Sequence, residues 1–110
     1  MATPEEFAAI DMRVGTVLDA QAFPEARKPA IKLTLDFGPE LGVRRSSAQL
    51  TVHYTPASLI GRQVVAAVNL GTRRIAGFES QVLVLGAMPT STEVVLLAVD
   101  HPVPNGTRIA

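Results

Sequence analysis

The sequence has 110 residues, of which 47% are hydrophobic and 18% charged, a composition that fits one globular domain over residues 1–110 and not a disordered chain. Ten basic residues offset ten acidic ones, so a uniformly positive nucleic-acid binder is excluded, and the lack of cysteine excludes disulfides, thiolate nucleophiles and Cys-ligated zinc. No apolar run approaches the roughly 20 residues of a membrane span. The acidic start Met-Ala-Thr-Pro-Glu-Glu lacks a secretory pattern. The expectation is a cytoplasmic protein with no membrane insertion.

In chain order, Thr3 reads as the N-cap of a short helix, with Pro4 in its first turn and Glu6 completing a capping box. Met12 to Phe23 reads as a long strand with Gly15 as a bend or bulge. Pro24 and Pro29 bracket a basic loop. From Ile31 to Phe37 apolar and polar residues alternate, so one face of that strand is buried and the other wet. Gly38 to Gly42 reads as a hairpin loop. A third strand then runs from Val43 to Val52, with Ala48, Leu50 and Val52 on one face. Thr55 to Gly61 resembles a short helical turn closed by glycine. Val64 to Val68 reads as a strand buried on both faces, and Gly71 to Arg74 as a basic turn. Gln81 to Leu85 and Val94 to Val99 are further strands on either side of a Gly86–Thr92 loop. An irregular tail with Pro102, Pro104, Asn105 and Gly106 is docked by Ile109.

About six short strands in all-β order need their edges protected, and a small barrel does this. The expected architecture is an OB-fold: a five-stranded Greek-key barrel with a short N-terminal helix and a short helix between strands three and four. A two-sheet sandwich is the alternative.

The zero net charge is a cancellation. Residues 1–26 carry five carboxylates against one arginine, residues 27–74 carry eight cations against two carboxylates, and residues 75–110 carry three carboxylates against one arginine. The middle is therefore +6 between acidic ends. Eight of the ten basic residues are arginine, which suits planar contacts to phosphate or carboxylate.

Catalytic patterns are scarce. No G-x-S-x-G elbow, P-loop, H-E-x-x-H or dinucleotide fingerprint occurs, and the two histidines, His53 and His101, lie far apart. The expectation is a non-enzymatic binder with no cofactor and no metal. The strongest signals concern binding. Arg27 and Lys28 sit in the Pro-braced loop, and Lys32 follows on the wet face of the next strand. Arg44 and Arg45 stand beside Ser46, Ser47 and Gln49. If these two strands pair through the 38–42 loop, all these groups approach one surface that offers phosphate contacts and neutral hydrogen-bond partners. Only five aromatic residues occur, Phe7, Phe23, Phe37, Tyr54 and Phe78, fewer than a base-stacking single-strand binder needs. Folded RNA or a polypeptide fits better.

Several blocks resemble the CsaA family, small bacterial proteins related to the tRNA-binding OB domains beside some aminoacyl-tRNA synthetases. They are Ile10-Asp11-Met12-Arg13-Val14-Gly15-Thr16-Val17, Ala26-Arg27-Lys28-Pro29-Ala30, Leu35-Asp36-Phe37-Gly38, Ser46-Ser47-Ala48-Gln49-Leu50-Thr51 and Leu59-Ile60-Gly61-Arg62-Gln63-Val64. Val68-Asn69-Leu70, Ser80-Gln81-Val82-Leu83-Val84-Leu85-Gly86 and Val103-Pro104-Asn105-Gly106 complete the series. The resemblance runs through essentially the whole chain in order. It implies an OB-fold homodimer with a chaperone-like role, binding unfolded or export-bound polypeptides and working with the export machinery. It also implies tRNA binding as the fold's ancestral activity. The related tRNA-binding domains usually read Ser, a variable residue, Gly, Met where this chain has Ser80-Gln81-Val82-Leu83. CsaA-like sequences often carry an acidic residue where this one has Gln81, so the change removes a negative charge from the candidate surface.

Two readings follow. In the first, Phe23 and Phe78 hold apolar side chains of a bound polypeptide while Arg27, Lys28, Arg44 and Arg45 attract its polar or acidic flanks. In the second, a tRNA-binding accessory module of translation, Arg27, Lys28, Lys32, Arg44, Arg45, Arg73 and Arg74 meet phosphates. Ser46, Ser47, Gln49, Asn69 and Ser80 then meet sugars or bases. The N-terminal helix and the tail after Asp100 lie outside the expected barrel and are candidate dimer elements.

Overall fold

The computed structural model describes residues 1–110. Its N-terminus forms as the sequence predicts. The hydroxyl of Thr3 accepts from the backbone N–H of Glu6 at 3.2 Å, and the Glu6 carboxylate accepts from the N–H of Thr3 at 2.9 Å. This capping box starts helix α1 (Pro4–Ala8), none of whose residues is buried.

Strand β1 (Met12–Ala22) is long enough to serve two neighbours. Its second half, from Thr16, pairs antiparallel with β2 (Ile31–Asp36), and its first half, Met12 to Thr16, with β4 (Gln63–Ala67). Where β2 leaves, the C-terminal tail takes its place along β1. The N–H of Val14 donates to Thr107 at 2.9 Å, the N–H of Gly106 to Val14 at 2.7 Å, and the N–H of Ile109 to Met12 at 2.9 Å. Asn105 adds a side-chain anchor, accepting from the Thr16 hydroxyl at 2.7 Å and from the Gln63 amide at 3.2 Å. The tail is thus held by its backbone and Asn105 along its length as well as at Ile109.

Strand β3 (Val43–Ala48) pairs with β2, and β7 (Leu83–Val84) with β4, giving the order β3-β2-β1-β4-β7. This is the expected five-stranded antiparallel barrel of OB type. Its core gathers Val17, Ile31, Leu33, Leu35, Phe37 and Leu50, and helix α3 (Pro56–Leu59) adds the fully buried Leu59. Thr55 caps α3 with a second capping box, and Gly61 follows at φ +88°.

Several boundaries differ from the sequence reading. The 38–42 segment contains a helical turn, α2 (Gly38–Leu41). The third strand ends at Ala48, not Val52. There the N–H of Tyr54 donates to Leu50 at 3.1 Å, a turn that keeps Leu50 buried and leaves Val52 exposed. The basic 71–74 segment leads into a hairpin, β5 (Arg73–Ile75) with β6 (Phe78–Ser80). The expected 86–92 loop carries β8 (Gly86–Thr90), which pairs with β9 (Glu93–Leu96).

Gly15 is not the bulge. The β1–β2 register shifts between Val17 and Asp19, while Gly15 pairs regularly with Val64. Its lack of a side chain serves Phe37, because a Cβ at position 15 would lie 2.7 Å from the buried ring. Gly15→Ala is expected to cost about 1–3 kcal/mol, the usual penalty for overpacking a filled core. Thermal unfolding followed by circular dichroism checks this, and an unchanged midpoint would show that the ring has room to move.

Candidate functional site

The β2–β3 register decides which of the expected side chains share a face. Lys32 stands opposite Ser47 and Thr34 opposite Arg45, on the outer face. Leu33 stands opposite Ser46 and Leu35 opposite Arg44, on the core face. Neighbouring Arg44 and Arg45 are therefore split across the sheet. The Nε of Arg44 donates to the Leu41 carbonyl at 3.0 Å, while Arg45 is exposed on the outer side.

Beneath that outer face lies a small second core of Phe23, Ala30 and Phe78. The two rings pack edge-on with centroids 5.5 Å apart. They are 3% and 8% exposed, so they form a buried platform and offer little surface to the side chains of a bound polypeptide. Two cations rest on the platform. Lys32 Nζ lies 4.6 Å from the Phe23 centroid and 5.4 Å from that of Phe78, and Arg45 Cζ lies 4.7 Å from Phe78. The ring quadrupoles stabilise these charges and limit their conformational freedom.

A cleft of about 550 Å³ borders the same small core at Ala30 and Ile75. Arg27 and Lys28 from the Pro-braced loop and Arg73 from β5 line it, together with Ser47 and Gln49. Its apolar wall includes Ile75, Leu83, Leu85 and Met88. No aspartate or glutamate lines it. None of Arg27, Lys28, Lys32, Arg45 and Arg73 forms an ion pair; the arginines that do are Arg13, with Asp11 at 2.6 Å, and Arg74, with Glu79 at 3.5 Å. The Asp11 hydrogen bond raises the pKa of Arg13, whose guanidinium also donates to the Gly106 carbonyl. A smaller cleft beside α3, about 470 Å³, holds one arginine, Arg62, with Asp100 also in its lining.

Three expected contact residues use their polar atoms within the fold. Ser46 is 1% exposed and donates to the Val82 carbonyl at 2.9 Å. The Ser80 hydroxyl accepts from the N–H of Ser47 at 3.0 Å. Asn69 accepts from the N–H of Asp11 and donates to the Ala9 carbonyl, each at 2.8 Å, and so fastens the end of α1. Gln81 completes the seam begun by the serines. Its side-chain oxygen accepts from the N–H of Arg45 at 3.0 Å, and its own N–H donates to the Arg45 carbonyl at 2.8 Å. Leu83, Leu85 and Met88 are site residues that the sequence reading did not single out. Leu83 and Met88 are 51% and 61% exposed, but an apolar run gives no sign of which members stay outside.

The family model described as "Putative tRNA binding domain" matches residues 12–108. The crystal structure of the chaperone CsaA from Bacillus anthracis superposes with a TM-score of 0.95 at 54% identity, over all of this chain and 99% of that one. The chain belongs to the tRNA-binding domain family, in its CsaA branch. The CsaA chaperone of Picrophilus torridus is 44% identical over the full length of both chains, with a TM-score of 0.91. A methionine–tRNA ligase from Methanococcus aeolicus is 37% identical over 105 residues, 96% of this chain. The chain spans only about 15% of that ligase's length.

Two changes test how this CsaA-type site is held. Ser80→Ala removes the acceptor for the N–H of Ser47 and is expected to cost about 1–3 kcal/mol, read by urea unfolding. The β5–β6 turn places Ala76 at φ +47° and Gly77 at φ +81°. Both turn positions thus have positive φ, which asparagine tolerates better than alanine. Ala76→Asn is therefore expected to stabilise by up to about 1 kcal/mol in the same measurement.

Proposed function

We propose that the chain is a non-enzymatic chaperone that receives segments of unfolded or export-bound polypeptides in the 550 Å³ cleft. The observation that carries this reading is the cleft's composition: an apolar wall, three cations and no carboxylate. Apolar side chains of a client leave water against Leu83 and Met88, and its acidic or carbonyl groups meet Arg27, Lys28 and Arg73. The likeness to two CsaA chaperones supports the same reading. In this proposal the protein is cytoplasmic, acts as a single OB-type domain and hands clients to the export machinery. It works as a homodimer whose subunits meet through the apolar residues that α1 leaves uncovered, Phe7 and Ile10, 49% and 41% exposed.

A second reading, tRNA binding in translation, is favoured by the family match and by the ligase relatives. It places phosphates on the unpaired cations Arg27, Lys28, Lys32, Arg45 and Arg73.

The chaperone reading is tested by light scattering from a chemically denatured model protein diluted into buffer. Equimolar intact chain is expected to suppress aggregation, and the double variant Arg27→Glu, Lys28→Glu to lose most of that effect. No suppression by the intact chain would refute the reading. For tRNA, affinity is expected to fall steeply with salt, with a log–log slope of roughly −3.5 to −4.5 if all five cations meet phosphates. No binding at low salt would remove the second reading.

A further inference from the structure

Cations that would attract a polyanion line the same cleft as the apolar wall. We infer that polypeptide and RNA exclude one another at this cleft, so that bound RNA acts as the displacing ligand of the chaperone site. This rests on the polypeptide and the tRNA readings above.

Ten basic residues are present, but few are free to recruit a polyanion. Arg13 and Arg74 are paired with carboxylates. Arg44 and Arg62 are each tied through Nε to a backbone carbonyl, that of Leu41 and that of Ser58. Arg108 is exposed and also unpaired, but it lies in the tail, where its backbone bridges to Arg13 on β1, and it does not line the cleft. The other five, Arg27, Lys28, Lys32, Arg45 and Arg73, are the ones gathered around the Phe23–Phe78 core. Three of these line the cleft itself. A polyanion that engages this group lies across the cleft.

The two ligands need the site differently. Polypeptide buries side chains against Leu83 and Met88, which share the cleft with Arg27, Lys28 and Arg73. RNA gains from the cations alone, because its linked phosphates release counterions there and the apolar wall offers it nothing. The whole domain measures 38 × 33 × 27 Å, so a folded RNA resting on the basic face covers the cleft. Shared cations and an unshared wall make the two ligands competitors that respond differently to substitution.

The test uses the intact chain and a fluorescently labelled, permanently unfolded polypeptide, reduced carboxymethylated α-lactalbumin, followed by anisotropy at low salt. Unfractionated tRNA is expected to return the anisotropy to its free value. Its effect on the apparent polypeptide Kd should be about tenfold when tRNA stands near ten times its own Kd. Inorganic phosphate at matched phosphate concentration is expected to leave the polypeptide bound. The double variant Leu83→Ser, Met88→Ser is expected to weaken polypeptide binding about tenfold or more and tRNA binding less than about twofold.

A ternary complex, an unchanged polypeptide Kd, absence of tRNA binding, or equal displacement by inorganic phosphate would each overturn the exclusion. Absence of any polypeptide signal before tRNA is added would overturn the chaperone reading itself, an outcome visible in a separate step.

Discussion

The outer edge of β3 has no neighbouring strand, and the way it is satisfied determines the rest of the site. Across from it, Ser80, Gln81 and Val82 supply hydrogen bonds one residue at a time. The Ser80 hydroxyl takes the N–H of Ser47, Gln81 takes both backbone groups of Arg45, and the Val82 carbonyl takes the hydroxyl of Ser46. An unpaired strand edge invites association, and a buried unpaired polar group costs about 1–3 kcal/mol. This seam removes both problems without a regular ladder. It also sets Phe78, two residues before Ser80, against Phe23, and the resulting ring pair carries Lys32 and Arg45. The cleft opens beside that pair.

The seam also gives meaning to a departure from related tRNA-binding domains. Where those usually read Gly-Met after the variable residue, this chain reads Val82-Leu83. Val82 is 5% exposed and joins the barrel core, while Leu83 projects into the cleft. The substitution therefore alters core packing and cleft lining together. At the preceding position, Gln81 acts through its amide oxygen on the Arg45 backbone. Its lack of charge leaves no carboxylate beside the Arg45 backbone at this position.

The parts of the fold that carry strong periodic or capping signals were legible in the sequence. Alternation from Ile31 to Phe37 identified β2 and its buried face, Thr3 announced a capped helix, and Thr55 to Gly61 read as a helical turn, though not its Thr55 cap. The two satellite hairpins were not legible, because strands of three to five residues carry too little alternation, and an Ala76-Gly77 turn lacks the usual Asn-Gly or Asp-Gly mark. The basic middle of the chain was correctly seen as uneven in charge, and it supplies the cations now found around one small core. Individual assignments were harder. Serine reads equally as a surface contact or an internal hydrogen bond, and Ser46 and Ser80 take the second role. Adjacent Arg44 and Arg45 read as a pair in sequence, but strand geometry sends them to opposite faces. Phe23 and Phe78 read in sequence as apolar contacts, whereas they pack as a small core, and only the three-dimensional arrangement shows cations lying over them.

In the proposed function, polypeptide binds in one carboxylate-free cleft beside the small core of Phe23, Ala30 and Phe78. Backbone amide chemical-shift mapping of the isotopically labelled chain against an unlabelled unfolded polypeptide tests it most directly. The largest changes are expected on Arg27, Lys28, Gln49, Arg73, Leu83 and Met88. Changes confined to α1, the C-terminal tail, or the smaller cleft around Tyr54, Arg62 and Asp100 would contradict it.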